Sequence, residues 1–275
     1  MLSAHAASCA DNLRDATRDA NPRITQKATI VSTRSTTQAS AWKRSSIAKL
    51  AGVVALAVGA IASQRIANSA EPATTVPAPT QDEKVATAHS ETAVFAGGCF
   101  WGVQGVFEHV RGVTQVAAGY TGGAAGTAHY DTVEEGDSGH AESVQITYDP
   151  TQITYGRLLR IFFSVAHNPT ELNYQGPDHG NQYRSAVFPV NPDQRSVAQA
   201  YIAQLDKAHV FSEPVVTRVE DFKGFYPAES YHQNYLVLHP DSPYIVFNDL
   251  PKVKDLQRMF PDLYRNDPVL LKTSA

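Results

Sequence analysis

The chain has 275 residues, of which 43% are hydrophobic and 18% are charged. This is enough apolar material for one substantial core, so one domain or two small ones are expected. Residues 1–49 carry eight Lys and Arg against three Asp, a net +5, whereas residues 50–275 carry 15 basic and 24 acidic side chains, a net −9. The acidic body argues against nucleic acid as a partner, because phosphate binding needs a basic patch.

The first 90 residues have the composition of a leader and a spacer. Residues 1–49 are rich in Ala, Ser, Thr and Arg without an apolar period, which is typical of a disordered leader. A short basic stretch then precedes an apolar run and small residues, so 50–70 is predicted to be a signal peptide. We therefore expect a periplasmic or secreted protein; an uncleaved membrane anchor, with the folded domain outside the cytoplasm, is the alternative. Residues 71–90, rich in Pro, Ala and Thr, are predicted to be a linker.

The folded domain is predicted at 91–265, followed by a tail at 266–275, and its apolar periodicity switches between strand and helix. The expected strands are 92–96, 113–120, 141–148, 183–190 and 215–219, and the expected helices start near 99 and cover 155–166, 192–207, 229–237 and 253–259. The order β-α-β-β-α-β is typical of an α+β fold, the ferredoxin-like α/β sandwich, in which a mixed or antiparallel sheet carries flanking helices.

The sequence contains two cysteines, Cys9 and Cys99, which are too few for a disulfide framework and lack the spacing of zinc ligands. Cys99 follows Gly97 and Gly98 at the point where a predicted strand passes into a helix. Unpaired N–H groups and the positive end of the helix dipole favour a thiolate there. This position predicts a nucleophile, although a small buried hydrophobe is the alternative.

Three other candidates stand at the ends of predicted strands. Glu142 shares a strand face with Val144 and Ile146. If it is buried, its pKa rises and it becomes a proton donor; a solvated Glu142 at the start of the strand is equally compatible with the pattern. Tyr120 and Tyr183 lie at strand ends beside glycine-containing loops, where a phenol can donate into a cleft or simply pack at the edge of the core.

Two aromatic residues and one acid–histidine pair complete the candidates. Phe100 and Trp101, next to the cysteine, predict an apolar wall for a methyl or thioether group. Glu229 and His232 are three residues apart on a predicted short helix, a spacing that favours a surface pair over a carboxylate-oriented histidine near the site. No two histidines of the domain have the i, i+4 spacing of a zinc site, so no metal is expected.

Five motifs in this order closely resemble those of the peptide methionine sulfoxide reductase A family, over essentially all of 91–265. The motifs are GCFWG at 98–102, GYTGG at 119–123, GHAE at 139–142, GPDHGNQYRS at 176–185 and AESYHQNYL at 228–236.

The resemblance implies a reductase that acts on the S epimer of methionine sulfoxide. It implies that Cys99 attacks the sulfoxide sulfur and becomes a sulfenic acid, while Glu142 protonates the sulfoxide oxygen. The implied substrate-binding residues are Phe100 and Trp101 around the methyl group, Tyr120 and Tyr183 at the oxygen, and Asp178 at water or the oxygen.

The chain departs from many members of that family because no cysteine follows Cys99, while Cys9 precedes the predicted signal. We therefore expect a monomeric single-cysteine enzyme without a bound cofactor. An external thiol, either a thioredoxin-like protein or a small thiol, would reduce its sulfenic acid. The substrates would be oxidised proteins or free methionine sulfoxide. Two rival readings are a cysteine hydrolase or transferase that pairs Cys99 with a histidine such as His232, and a non-catalytic binding domain.

Overall fold

The computed structural model describes residues 71–83 and 90–272. The predicted leader at 1–49, which contains Cys9, and the predicted signal peptide at 50–70 lie outside these residues and stay predictions. None of the helices in the two described ranges combines the length and apolar character needed to span a bilayer.

The described residues form short strands and helices in alternation. The strands are β1 (Glu91–Gly97), β2 (Val113–Thr121), β3 (Ala141–Tyr148), β4 (Tyr174–Gln175), β5 (Asp178–His179), β6 (Ser185–Val187), β7 (Arg218–Val219) and β8 (Phe225–Pro227). The α-helices are α1 (Phe100–Glu108), α2 (Tyr130–Glu134), α3 (Tyr155–Ile161), α4 (Pro192–Lys207), α5 (Tyr235–Leu238) and α6 (Leu250–Met259). Short 3-10 turns lie at Ala125–Thr127, Asn181–Tyr183 and Ser230–His232, and π-helical turns lie at Phe162–Ala166 and Ile245–Asp249.

Six of these strands form one mixed sheet in the order β7-β6-β1-β3-β2-β8. The inner four strands are antiparallel to one another, β8 is antiparallel to β2, and β7 runs parallel to β6. The inner order β6-β1-β3-β2 is that of two interlocked βαβ units, as in ferredoxin-like domains. The predicted α+β class, with a mixed sheet and flanking helices, is therefore confirmed.

The sequence misplaced several boundaries for local reasons. The predicted helix at 229–237 is two separate turns, because Asn234 between them adopts a left-handed backbone with φ +56°. The predicted strand at 215–219 is confined to β7, because the N–H of Val216 donates to the carbonyl of Pro169 instead of joining the sheet. The predicted strand at 183–190 is shortened to β6, and the 3-10 turn at Asn181–Tyr183 accounts for its later start. Elements α2, β4, β5 and β8 are too short to show a period in the sequence.

The core lies on both faces of the sheet. On one face the ring of Phe95 in β1 contacts Phe107 of α1, with centroids 5.8 Å apart, and stacks on Phe162 at 4.9 Å. On the other face Val94 belongs to a cluster with Phe188, against which loop residue Phe222 packs. Because neighbouring strand residues point to opposite faces, β1 contributes to both layers and the cysteine turn follows directly from it.

Residues 71–83, which we call the strap, lie against the domain although their composition predicted a linker. Val76 is buried, and the hydroxyl of Tyr201 in α4 donates to the carbonyl of Pro77 at 2.6 Å. The side chain of Asp82 accepts from the N–H of Gly156 at 2.8 Å, at the start of α3. These contacts show that the folded unit includes residues before position 91.

A buried acid at the end of α1 makes the stability of the fold depend on pH. Glu108 is fully buried, and neither of its carboxyl oxygens has a hydrogen-bond partner. Burial raises the pKa of Glu108 to about 8. The folded state therefore binds a proton that the unfolded state releases above its ordinary pKa of about 4.3. The resulting stabilisation is complete below that value and is lost as the pH rises towards 8.

We predict that the free energy of unfolding falls between about pH 5 and pH 8, by up to about 1.4 kcal/mol per pH unit from this group. Glu108→Gln removes the titrating group, so it should flatten this dependence. The check is urea unfolding at both pH values, with Glu135→Gln as an exposed control that keeps the wild-type slope. Equal slopes for Glu108→Gln and wild type would contradict the prediction.

Candidate functional site

Cys99 lies in the tight turn between β1 and α1, and its side chain is 1% exposed. The preceding residue, Gly98, has φ +85°, and a Cβ atom there would lie 2.7 Å from Cβ of Gln175. Gln175 is itself held by Asn168, since its side chain accepts from that residue's N–H at 2.8 Å and donates to its carbonyl at 2.7 Å. The turn that presents the cysteine is therefore fixed from the side of β4.

Glu142 is buried on β3 next to this turn, with 2% of its surface exposed. Its Oε2 accepts the backbone N–H of Phe100 at 2.9 Å, and Tyr120 is its cross-strand neighbour on β2. Burial is the main cause that raises the pKa of Glu142 well above its ordinary value; the hydrogen bond from Phe100 lowers it, and Asp178 is among the acids that raise it further. The alternative of a solvated Glu142 is wrong, because the residue is buried, and burial favours its neutral form.

Two further buried acids lie near the first turn of α1. Asp178 on β5 accepts the hydroxyl hydrogen of Tyr244. Asp249 pairs with Lys252 at 3.3 Å, and its Oδ1 lies 2.1 Å from where a Cβ of Gly102 would be. Burial raises the pKa of Asp249 to about 6, against the opposing effect of the lysine. The sequence analysis did not identify Asp249 or Lys252, because the local pattern around these two residues does not differ from that of an ordinary helix start.

Phe100 and Trp101 are both fully buried and form an aromatic wall behind the cysteine turn. The indole of Trp101 stacks on Tyr235, with centroids 3.8 Å apart and planes at 10°, and meets the edge of Tyr244 at 5.9 Å. Phe100 contacts the ring of Tyr120 at 5.9 Å. The wall is therefore held from α5 and from β2.

Glu229 and His232 belong to this site, and the expected surface pair is wrong. His232 is fully buried, and its Nδ1 accepts the indole N–H of Trp101 at 3.2 Å. The Glu229 carboxylate accepts the hydroxyl of Tyr120 at 2.9 Å and the backbone N–H of Tyr130 at 3.0 Å. Burial lowers the pKa of His232 to about 4, so the ring is neutral at pH 7. For Glu229, burial alone would raise the pKa, but the hydrogen bonds that the carboxylate accepts have the larger combined effect, so the pKa is lowered.

Tyr183 lies in the 3-10 turn that leads into β6 and is buried. The structure thus places Cys99, Glu142, Phe100, Trp101, Tyr120 and Asp178 around the start of α1, with Tyr183 in the segment that follows Asp178. Across 71–83 and 90–272, no group of three or more His, Cys, Asp or Glu side chains is arranged to hold a metal ion. The arrangement combines a thiol at a helix start, a buried acid with a raised pKa and an apolar wall, which suits transfer of an oxygen from a small, partly apolar substrate to sulfur.

Comparison with known proteins agrees with this chemistry. The family profile described as peptide methionine sulfoxide reductase matches residues 91–263. Peptide methionine sulfoxide reductase MsrA 2 of Mesorhizobium japonicum is 60% identical over 194 residues, which are 70% of this chain and 99% of that protein. MsrA of Chromobacterium violaceum is 46% identical over 176 residues, 64% of this chain and 99% of its own length. The crystal structure of reduced Mxr1 from Saccharomyces cerevisiae matches with a TM-score of 0.51 and 31% identity, over 58% of this chain and 93% of that one.

This chain belongs to the peptide methionine sulfoxide reductase A family. It is an oxidoreductase of methionine sulfoxide, and this activity repairs oxidised methionine. The family expected from the five sequence motifs is confirmed.

We predict that Gly98→Ala destabilises the domain by roughly 2–4 kcal/mol, because a side chain at this left-handed position is strained and meets Gln175. Reductase activity should fall with it, since the cysteine turn must shift. The matched control is Gly126→Ala, where an added Cβ has no neighbour within 4 Å. Urea unfolding and specific activity check the pair, and equal stability of the two variants would refute the prediction.

Proposed function

We propose that this chain reduces methionine S-sulfoxide, free or in proteins, through a sulfenic acid on Cys99, with Glu142 as the proton donor. One observation carries the proposal: the buried Glu142 is bonded at 2.9 Å to the N–H of Phe100, the residue directly after the cysteine. A protonated acid and a thiol are thereby held at the same helix start. This is the pair of groups that sulfoxide reduction requires.

In the proposed first step the Cys99 thiolate attacks the sulfoxide sulfur while Glu142 gives its proton to the sulfoxide oxygen. The sulfur–oxygen bond of the substrate breaks, and the oxygen leaves with that proton on the cysteine sulfur as a sulfenic acid. The methionine sulfur gains two electrons and departs as a thioether, whereas the cysteine sulfur loses two. Glu142 ends the step as a carboxylate and regains a proton from solvent.

In the second step an external thiol condenses with the sulfenic acid to give a mixed disulfide and water. A second thiol then attacks this disulfide, which releases the Cys99 thiol and an oxidised reductant. The proposal is supported by the sequence, in which residues 100–275 contain no cysteine that could serve as a resolving thiol. The reductant is either a thioredoxin-like protein or a small thiol.

Phe100 and Trp101 are proposed to hold the substrate methyl group, because they are the rigid apolar surface beside the cysteine turn. Tyr183, Asp178 and Tyr120 are proposed to hold the oxygen or a water molecule. In the described structure the Tyr120 hydroxyl hydrogen is directed to Glu229, so Tyr120 donates to a sulfoxide only by leaving that carboxylate.

We predict that Cys99→Ser abolishes reduction of the S epimer, because serine forms no sulfenic acid. The full chain is assayed on separated sulfoxide epimers, and Cys9→Ser is the matched control that keeps full activity. Dimedone should label Cys99 of the Cys9→Ser protein after exposure to sulfoxide without reductant. Activity in Cys99→Ser, preference for the R epimer, or an acyl group in place of the dimedone adduct would overturn the proposal; the last would indicate a hydrolase or transferase.

We predict that Glu142→Gln lowers the rate of sulfenic acid formation by about 10²- to 10⁴-fold, because the amide still accepts from Phe100 but gives no proton. Single-turnover measurements isolate this step from the reduction by thiol. Glu135→Gln, which changes an exposed acid in the same way, should react like wild type. A rate for Glu142→Gln within about threefold of wild type would rule out the proposed acid.

A further inference from the structure

The cysteine turn is supported by residues 168–176, which we call the buttress loop. Its residue Gln175 packs against Gly98, the glycine directly before the cysteine. Gln175 is fixed in turn by two hydrogen bonds to the main chain of Asn168, at 2.8 and 2.7 Å. The buttress loop is therefore closed by its own first residue, and a movement of Asn168 is transmitted to the turn that presents Cys99.

Two glutamates hold the two ends of the buttress loop. Glu71, the first residue of the strap, accepts from the side-chain amide of Asn168 at 3.1 Å. Glu171 accepts the N–H of Gly176 at 3.1 Å, at the other end of the loop. A Cβ atom on Gly176 would lie 3.7 Å from Oε1 of Glu71, so both carboxyl groups reach the same glycine. The strap thus takes part in holding a loop that contacts the cysteine turn.

The side chains of Glu71 and Glu171 are also hydrogen-bonded to each other. Two carboxylates offer acceptors only, so a hydrogen bond between them requires one proton on the pair. Burial is the main cause that raises the pKa of Glu171 to about 7, and the charge of Glu71 raises it further. Hydrogen bonds from Gly176 and Asn168 act in the opposite direction. The contact between the two carboxyl groups is therefore made at neutral and lower pH.

The groups around this pair leave its charge to the proton. In the described part of the chain, Glu71 is the charged group that acts on Glu171. Arg218 of β7 contacts the buttress loop, where its guanidinium donates to the side chain of Asn173 at 3.4 Å. His167, directly before the loop, is neutral at pH 7, since burial lowers its pKa to about 3. The proton between the two carboxyl groups therefore offsets their mutual repulsion.

We propose that Glu71 and Glu171 are positioning residues for sulfoxide reduction: the proton that they share holds the buttress loop against the cysteine turn. This inference rests on the proposed function of Cys99. When the pair loses its proton, two like charges repel each other, Asn168 loosens, and Gln175 holds the turn less firmly. Because the pKa is raised in the folded state, the attachment is complete below about pH 4.3 and is lost as the pH rises through about 7.

The first test is hydrogen exchange of the Gly176 amide in the full chain, because this N–H donates to Glu171. A folded-state pKa of about 7 predicts that opening of the loop increases about tenfold between pH 6 and pH 8.5, after correction for base catalysis of exchange. Glu171→Gln accepts from Gly176 and donates an amide hydrogen to Glu71 at every pH, so its opening should stay constant. Coinciding profiles of wild type and Glu171→Gln would overturn the inference.

The second test is the pH profile of sulfenic acid formation on Cys99, measured in single turnovers of the full chain carrying Cys9→Ser. Titration of Cys99 and Glu142 affects wild type and variant alike, so the ratio of their rates isolates the acid pair. We expect the rate of Glu171→Gln divided by that of wild type to rise from about one at pH 6 to about threefold or more at pH 8.5. A purely structural pair would leave this ratio constant, and a constant ratio would overturn the inference.

A variant on the strap side keeps the test decisive if Glu171→Gln does not fold. Glu71→Gln accepts from Asn168 and donates to Glu171, so it should reproduce the constant loop opening and the rising rate ratio. A pH dependence like that of wild type in Glu71→Gln would overturn the inference. If no sulfenic acid forms on Cys99 at any pH, the proposed function fails, whereas exchange at Gly176 still decides whether the pair holds the loop.

The matched control is a similar acid pair at the other end of the strap. The hydroxyl oxygen of Tyr148 lies 3.0 Å from Oε2 of Glu83 and 2.9 Å from Oε2 of Glu91, and burial raises the pKa of Glu83 to about 7. Glu83 also accepts from Asn191, the N-cap of α4, at 3.3 Å. Glu83→Gln should therefore keep the wild-type pH profile of sulfenic acid formation. A profile like that of Glu171→Gln would overturn the assignment to the buttress loop.

Discussion

The hydrogen bond from the N–H of Phe100 to Glu142 joins the central strand β3 to the first turn of α1. Two opposing effects meet at this bond. The N–H group and the positive end of the helix favour a carboxylate, whereas burial in the core and the neighbouring acids favour a neutral acid. Burial is the largest of these effects, so the pKa of Glu142 is raised although the residue accepts a hydrogen bond. A helix start that favours a thiolate on one residue can thus lie beside an acid whose surroundings favour the neutral form.

Two further buried acids affect the pKa of Glu142. Asp178 and Asp249 are as buried as Glu142, and both raise the pKa of Glu142 by their charge; Asp178 also raises the pKa of Asp249. Lys252 pairs with Asp249, and Tyr244 donates to Asp178, so these two acids have partners that stabilise them as anions. Glu142 accepts the backbone N–H of Phe100 at 2.9 Å. Burial thus outweighs the hydrogen bond in its effect on the pKa of Glu142, whereas Lys252 partly offsets burial at Asp249.

The residues that could be predicted from sequence are those whose signal is local. Cys99 was found from two glycines and a change of period, and Glu142 from strand alternation, although alternation alone left its burial open. Glu229 and His232 were misread because their meaning depends on Tyr120 and Trp101, which are 109 and 131 residues away in sequence. The strap has the composition of a spacer, and the sequence predicts a linker there for the same reason: the contacts that hold the strap in place, such as those with α3 and α4, are with distant parts of the chain.

The same distinction explains why the fold class could be predicted more easily than the shape of the pocket. A ferredoxin-like sheet follows from the order of elements, which short periodic segments reveal even when their ends are misplaced. The pocket is built from the turns between those elements, where Asn234 adopts a left-handed backbone and ends the turn that carries His232. Because Asn234 redirects the chain, α5 begins at Tyr235, and the ring of Tyr235 lies flat against the indole of Trp101. The left-handed backbone of Asn234, which no periodic pattern in the sequence predicts, thus lies between the two residues that contact the indole: His232, which accepts its hydrogen bond, and Tyr235, which stacks on it.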